Sequence, residues 1–352
     1  MQLIFGLILT LFVTPVLIWA AHRFSLLDYP DDRKQHQGAT PLVGGVAMSI
    51  SIAISAMLML DMTHIFWGLF AALLIIVVIG FCDDWLGLPV GVRFLAQGFA
   101  ALIITLFAGA QLTSLGDLFG LGIVALGVMA VPMTVFAVVG VANALNLSDG
   151  LDGLAGGLAL IATFFLAVSA HLAGKEMAFT AMLILGGALI GFLSFNMRLP
   201  WQQRAKVFMG DCGSLMLGFV LAWAAVRVTQ AENNAISPAA VLWFFAIPLW
   251  DTVSLMLHRV LQGRSPFEPG RDHLHHILLR EGYNDGQVVR FIHAAALLFA
   301  LFGFLGWWWN LADAILFYLF IGMFVVYFAG IKQAGKLMHL FVQSSSNGCL
   351  TK

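Results

Sequence analysis

Residues 64–85 read HIFWGLFAALLIIVVIGFCDDW, in which eighteen uncharged and mostly apolar residues are followed by Cys82 and two adjacent aspartates. A helix of that length crosses the roughly 30 Å of hydrocarbon in a bilayer. Hydrophobic residues make up 61% of the 352 residues and charged residues 10%, whereas soluble domains carry about 25% charged residues. The composition excludes a water-soluble globule and predicts an all-α protein that crosses a membrane many times.

Other apolar segments of similar length bring the predicted number of membrane spans to eleven, with ten as the alternative count. Arg93 and Gln97 interrupt the fourth segment, and the eighth is short. The predicted spans are 3–21, 41–60, 64–81, 92–108, 121–142, 153–171, 177–195, 213–226, 238–257, 291–309 and 311–330. No repeat or long linker divides them. We therefore predict one integral domain over residues 1–336 and a disordered cytoplasmic tail over residues 337–352.

Basic residues are concentrated in alternate gaps between these spans. Fifteen of the seventeen Lys and Arg residues follow odd-numbered spans, whereas Lys175 and Arg227 follow even-numbered ones. Since cytoplasmic loops carry the excess of Lys and Arg, this pattern places the N-terminus in the periplasm and the C-terminus in the cytoplasm. The polar segments lie in the same gaps, which predicts a cytoplasmic active surface formed by loops at about 22–40, 82–92, 143–152, 196–212 and 258–290.

Two of these loops carry closely spaced acids. Asp83 and Asp84 end an apolar helix, and paired carboxylates beside hydrocarbon are costly and tend to be functional. Their oxygen atoms suit Mg²⁺; two solvated acids at a helix end are the alternative. Residues 143–157, NALNLSDGLDGLAGG, repeat polar side chains every three residues among four glycines, which let backbone approach a ligand closely. These side chains are Asn143, Asn146, Asp149 and Asp152.

Three further segments suit anionic ligands. In FNMRLPWQQRAKVFMGDCGS, residues 195–214, Lys206 and backbone amides at a helix start suit a phosphate, and Asp211 suits a metal bridging it. The alternative is that Lys206 is a membrane anchor and Asp211 a helix cap. In GRSPFEPGRDHLHH, residues 263–276, arginines and three histidines favour anionic oxygens over zinc, because no cysteine is near. Residues 29–45, YPDDRKQHQGATPLVGG, mix acids and bases before a glycine pair; a functional loop and a solvated loop explain this segment equally well.

The five ordered motifs together resemble the polyprenyl-phosphate N-acetylhexosamine-1-phosphate transferases, glycosyltransferase family 4, over residues 29–276. PDDRKQHQGATPLVGG and SPFEPGRDHLHH look like the bacterial branch that makes undecaprenyl-diphosphate N-acetylglucosamine. The cell-wall phospho-muramoyl-pentapeptide branch has contiguous histidines, which Leu274 interrupts here. The resemblance implies an inner-membrane enzyme that transfers N-acetylglucosamine 1-phosphate from UDP-N-acetylglucosamine to undecaprenyl phosphate. This reaction is the first lipid-linked step of a surface polysaccharide, such as the O antigen of lipopolysaccharide or common antigen.

The resemblance also implies a set of site residues. Positions that match catalytic residues are Asp83, Asp84, Asp149, Asp152, His273 and His276. Positions that match ligands of Mg²⁺, which Mn²⁺ is expected to replace, are Asp211, Asn146 and Asp84. Positions that match substrate-binding residues are Lys34, His36, Arg93, Asn143, Lys206, Phe208, Arg271 and His275. Arg93 departs from the lysine commoner in the family but keeps the charge.

The chemistry of the substrates favours direct attack by the lipid phosphate. The second pKa of a phosphate monoester is about 6, so the acceptor is largely ionised near neutral pH and needs no strong base. A covalent intermediate on Asp83 or Asp84 is the alternative. Asp251, near the cytoplasmic end of the ninth span, is expected to pair with a basic loop residue.

Several alternatives stay open at this stage. The same reaction could use another UDP-N-acetylhexosamine or the phospho-MurNAc-pentapeptide. An ion-coupled transporter is the alternative from another class, but transport sites lie near the bilayer midplane between repeated halves, and here the acids lie at one face. No nucleic-acid partner is expected, and the sequence leaves a homodimer open.

Overall fold

The computed structural model describes residues 1–28, 38–198, 200–232, 235–268, 270 and 272–348, and beyond residue 331 the backbone alone. The described chain is a bundle of helices, which confirms the predicted all-α class. The helices are α1 (Gln2–Phe24), α2 (Gly44–Met59), α3 (His64–Leu86), α4 (Val90–Phe107), α5 (Ala130–Leu147), α6 (Leu154–Leu172), α7 (Glu176–Asn196), α8 (Gly210–Thr229), α9 (Pro238–Leu242), α10 (Ala246–Leu261), α11 (Leu274–Arg280), α12 (Asp285–Trp308) and α13 (Asp313–Gly348). The two strands, β1 (Leu27–Asp28) and β2 (Thr40–Pro41), pair antiparallel.

Ten helical segments of the described chain are long and apolar enough to cross a membrane, and α2 is a shorter apolar helix of 16 residues. The chain is therefore a multi-pass membrane protein with a helix at each of the eleven predicted spans. A short 3-10 turn, Trp243–Phe245, joins α9 and α10 into one span. The orientation of the termini, the single domain over residues 1–336 and the disorder of residues 337–352 stay predictions.

The predicted start of the fifth span at Leu121 is wrong. Residues before Gly127 form turns, in which the amide of Val124 donates to the carbonyl of Gly116 and the carbonyl of Val124 accepts from the amide of Leu115. Gly116, Gly120 and Gly122 there have φ of 72°, 75° and 107°, in a region that L side chains rarely adopt. The sequence predicts too early a start because residues 121–126 are apolar, although they form no helix.

Helix α8 is the centre of the bundle, with 89% of its span buried, whereas α1 and α13 are 17% and 11% buried. Small residues let α2 and α3 approach it closely, as is common in membrane proteins. A Cβ on Gly45 would lie 2.2 Å from the backbone of Gly213, and one on Gly80 would lie 2.5 Å from that of Cys212. These contacts bring the start of α8 against the start of α2 and the end of α3.

Candidate active site

Two carboxylates and one guanidinium meet where α3, α4 and α8 converge. Nη1 of Arg93 donates a hydrogen bond to Oδ2 of Asp83 and, at 3.2 Å, to Oδ2 of Asp211. The backbone amide of Leu88 donates to the other oxygen of Asp83 at 2.7 Å. The Asp83 side chain is 6% exposed and that of Asp211 is 34% exposed. A positive charge is therefore held between two acids, one of which stays accessible.

Two asparagines of α5 lie beside this group. Nδ2 of Asn146 donates to Oδ1 of Asp211 at 2.8 Å and to Oγ of Ser214 at 2.9 Å. One turn earlier, Nδ2 of Asn143 donates to the buried Gln97 on α4 at 2.5 Å. The two amides tie α5 to α8 and α4, and only Asn146 reaches the carboxylate pair.

Asp84 holds the start of α8. Its two carboxylate oxygens accept the backbone amides of Asp211 at 2.8 Å and Cys212 at 3.1 Å. These amides have no partner within the helix, and a negative charge at a helix N-terminus is favourable. Gly210 is required there, because its φ is 70° and a Cβ would lie 2.4 Å from Oδ2 of Asp84. The structure thus gives Asp84 a positioning contact, while its catalytic and metal-binding roles stay predictions.

Asp149 lies in the loop between α5 and α6, where protein surrounds its carboxyl while part of the residue remains exposed. Loss of solvent to the protein around the loop, and then repulsion from Asp84 and Asp152, raise the pKa of its carboxyl to about 7. Asp149 therefore lies close enough to Asp84 and Asp152 for the three carboxylates to repel one another.

We expect kcat/KM for the nucleotide substrate to fall as the pH drops below about 7. The sign follows from the raised pKa: the Asp149 carboxylate is ionised above it and takes up a proton below it, which removes a charge from the site. The profile should be measured with saturating lipid acceptor in wild type and Asp149→Asn. In the variant the decline should move to the titration of the acceptor phosphate at about pH 6, and a decline that stays at about pH 7 would assign it to another group.

Asp152 is held by an arginine that the sequence interpretation did not single out. Its Oδ2 accepts Nε of Arg198 at 2.8 Å and the backbone amide of Ala205 at 3.1 Å. Nη2 of the same arginine lies 2.6 Å from Oδ2 of Asp285 at the start of α12. Arg198 therefore links the glycine-rich loop to α12. In the sequence, Arg198 is only one of the fifteen basic residues that predict the orientation of the chain in the membrane.

The segment before α8 runs beside β2 and the start of α2. The amide of Phe208 donates to Pro41 and its carbonyl accepts from Gly44, at 2.8 and 2.9 Å, and the amide of Lys206 donates to Phe195. Phe208 is half-buried and Lys206 is exposed. These backbone bonds fix the segment, and the binding roles of the two side chains stay predictions.

The three histidines of the fifth loop stack at the start of α11. The ring centroids of His273 and His275 are 5.6 Å apart and nearly parallel, and those of His275 and His276 are 4.2 Å apart. His275 is 3% exposed, and its Nε2 has no hydrogen-bond partner among the described residues. Burial, then the neighbouring His276 and His273, lower the pKa of His275 to about 3, so it is neutral at physiological pH.

The His275 ring lies directly on Gly150. The histidine segment, residues 273–276, and the glycine-rich loop, residues 148–153, therefore form one wall of the site. A Cβ at Gly150 would lie 2.2 Å from Nε2 of His275. We expect Gly150→Ala to lower kcat by about tenfold or more, because displacing a site group by about 1 Å can cost up to 100-fold. Gly140→Ala, on α5 with open space around the new Cβ, should keep activity within about twofold. Equal activities of the two variants would contradict the contact.

Three predicted substrate-binding residues, Lys34, His36 and Arg271, lie outside the described residues, so their roles stay predictions. Among the described residues, no group of three His, Cys, Asp or Glu side chains has metal-binding geometry. Mg²⁺ does not need one, because it binds through one or two carboxylates, substrate phosphates and water. Asp211 fits such a site, since its carboxylate is 34% exposed and can reach a ligand; the Asn146 amide would have to turn its oxygen toward the metal.

Comparison with known proteins gives a consistent set of relatives. Residues 66–229 match the profile of glycosyl transferase family 4. The chain is 32% identical over 318 residues to the undecaprenyl-phosphate alpha-N-acetylglucosaminyl 1-phosphate transferase of Yersinia pestis, which covers 90% of this chain and 87% of that protein. It is 34% identical over 332 residues to the protein of the same name in Escherichia coli O157:H7, covering 93% and 90%. The Haemophilus influenzae protein of that name is 30% identical over 325 residues, covering 92% and 89%.

Proposed function

The chain belongs to glycosyl transferase family 4, and from that membership we propose that it transfers N-acetylglucosamine 1-phosphate from UDP-N-acetylglucosamine to undecaprenyl phosphate and releases UMP. One observation carries the proposal at the level of geometry. Arg93 is held between Asp83 and Asp211 where membrane helices end, so positive charge and metal-binding oxygens lie at the level of a lipid head group. The alternative of an ion-coupled transporter is set aside, because the chain belongs to a family of transferases.

The substrates bring a phosphate monoester against a diphosphate, and their repulsion must be offset before they react. Arg93 supplies one positive charge beside Asp211, and the exposed Lys206 supplies another on the segment before α8. A Mg²⁺ ion on Asp211 and Asn146, replaceable by Mn²⁺, would stabilise charge on the phosphate oxygens. Asp152 and Phe208 would hold the uracil, and Arg271 with the histidine segment would hold the diphosphate and sugar.

In the proposed reaction an oxygen of the lipid phosphate forms a bond to the sugar-linked phosphorus. The bond from that phosphorus to the bridging oxygen breaks, and UMP leaves with the electron pair. Hydrogen bonding at the aspartates favours this direct route over a covalent intermediate. Asp83 accepts from Leu88 and Arg93, and Asp84 from two backbone amides, so no carboxylate oxygen of the pair is without a donor. A carboxylate bonded in this way is a weaker nucleophile.

The proposal includes a location. The chain crosses a membrane many times, and we propose the bacterial inner membrane with the site on the cytoplasmic face, where nucleotide sugars are available. The uneven distribution of Lys and Arg supports that orientation. The homodimer and the polysaccharide pathway that the product enters stay predictions.

The test is purified protein with undecaprenyl phosphate, Mg²⁺ and a panel of UDP-sugars, with UMP release as the readout. We expect UMP and undecaprenyl-diphosphate-N-acetylglucosamine from UDP-N-acetylglucosamine, and activity lost with a chelator and restored by Mg²⁺ or Mn²⁺. Preference for another UDP-N-acetylhexosamine or for UDP-MurNAc-pentapeptide would correct the sugar. No UMP from any UDP-sugar would refute the function, and UMP released in a single turnover without lipid would favour the covalent route.

A further inference from the structure

Asp251 is a buried carboxylate in α10 that the proposed reaction does not use. It is 5% exposed, and a buried acid is costly unless hydrogen bonds satisfy it. Three donors surround it. Its Oδ2 accepts from Nδ1 of His273 at 2.7 Å, and its Oδ1 accepts the backbone amide of Leu274 at 2.9 Å and the hydroxyl of Tyr327 at 2.8 Å. The sequence-based expectation that Asp251 pairs with a basic loop residue corresponds to His273.

The contact fixes how His273 carries its proton. An ionised carboxylate only accepts hydrogen bonds, so the ring nitrogen facing Asp251 must be the protonated one. The other nitrogen, Nε2, is then the one left to act on a ligand. The ring is also held in place, because it is buried and stacks on His275 with an angle of 16° between the planes.

The same carboxylate fixes where the histidine segment begins. His273 is the N-cap of α11, and Leu274, whose amide Asp251 accepts, is the first residue of that helix. Tyr327 reaches Asp251 from α13, a helix whose membrane span is only 11% buried. Three helices, α10, α11 and α13, thus meet at one carboxylate.

We propose that Asp251 and Tyr327 are positioning residues, which set the tautomer and orientation of His273 so that its Nε2 faces the diphosphate of the donor. This inference rests on the proposed function, because it assigns the donor's diphosphate as the group that His273 meets. Carboxylates that orient a histidine in this way act through the ring and do not touch the substrate.

The test uses three single changes and a matched control on the same helix. Asp251→Asn puts an amide where the ring needs an acceptor, and we expect kcat to fall by roughly 10 to 100-fold. Tyr327→Phe removes one hydrogen bond, and we expect a loss of about fivefold. Tyr318→Phe, an exposed tyrosine on α13, should keep activity within about twofold.

Combining each change with His273→Gln distinguishes a positioning role from a merely structural one. If Asp251 and Tyr327 act through His273, neither change should lower activity further in the His273→Gln background. If they only stabilise the fold, their losses should multiply with that of His273→Gln. Multiplied losses, or a Tyr327→Phe variant as active as Tyr318→Phe, would overturn the inference.

A second pair of variants and the wild-type activity allow the experiment to be interpreted in every case. Should Asp251→Asn fail to fold, the pair Tyr327→Phe and His273→Gln still completes the cycle. UMP release by the wild type in the same assay separates the two proposals. An inactive wild type would refute the function, whereas an active wild type with multiplied losses would refute only the positioning role.

Discussion

Replacing Asp211 with asparagine is expected to lower kcat by about 10³-fold, because metal stabilisation of transition-state charge contributes several kcal/mol. Asparagine keeps the size of the side chain and an oxygen for Arg93, but it removes the negative charge that would hold the proposed Mg²⁺. The concentration of Mg²⁺ needed for half-maximal activity should rise at the same time. UMP release at a series of Mg²⁺ concentrations measures both effects.

Asp61→Asn is the matched control for that change. Asp61 is an exposed aspartate between α2 and α3, at the opposite end of both helices from Asp211. The control should keep both kcat and the Mg²⁺ requirement within about twofold, as expected for an exposed surface position. An Asp211→Asn enzyme with the wild-type Mg²⁺ requirement would remove Asp211 from the proposed metal site.

Arg93→Gln is expected to lower kcat by about 10²-fold, because it removes the positive charge that is proposed to offset the repulsion between the two substrates. It also leaves the carboxylates of Asp83 and Asp211 facing each other without the guanidinium between them. Arg93→Lys should lose only about tenfold, since an ammonium keeps the charge but lacks the planar guanidinium whose Nη1 contacts both Asp83 and Asp211. Initial rates over a range of undecaprenyl phosphate concentrations give kcat and KM for each variant.

Arg290→Gln is the control here, because Arg290 is an exposed arginine near the start of α12 and carries the same charge. We expect it to stay within about twofold of wild type. Equal losses in Arg93→Lys and Arg93→Gln would show that the shape of the guanidinium matters and its charge does not. Wild-type activity in Arg93→Gln would exclude Arg93 from the reaction.

Much of the fold follows from the sequence, because apolar segments long enough to cross a bilayer leave few alternatives. The start of the fifth span does not, since residues 121–126 are as apolar as a helix and only their glycine turns distinguish them. Helix α11 was also not predicted. It has seven residues, and the amide of its first residue, Leu274, donates to Asp251, a residue 23 positions earlier.

The sequence predicts which residues form the site, but it does not predict which of them contact one another. Arg93, Asn146 and Asp211 do meet, because small residues let α8 lie close to its neighbours. A helix cap had been considered for Asp211, whereas the structure shows that Asp84, from another helix, caps α8. The sequence could not reveal that cap, since it depends on which helix ends meet. Arg198 was missed for the same reason.

The central claim is that separate loops surround one metal-bound nucleotide at a single end of the bundle. Replacing Mg²⁺ with Fe²⁺, adding ascorbate and peroxide in the presence of UDP-N-acetylglucosamine, and mapping the backbone cuts would test it directly. We expect cuts near Asp83, Asn146 and Asp211 together, suppressed by excess Mg²⁺. Cuts confined to one of these loops, or located in the 109–126 loop at the opposite end, would contradict the account.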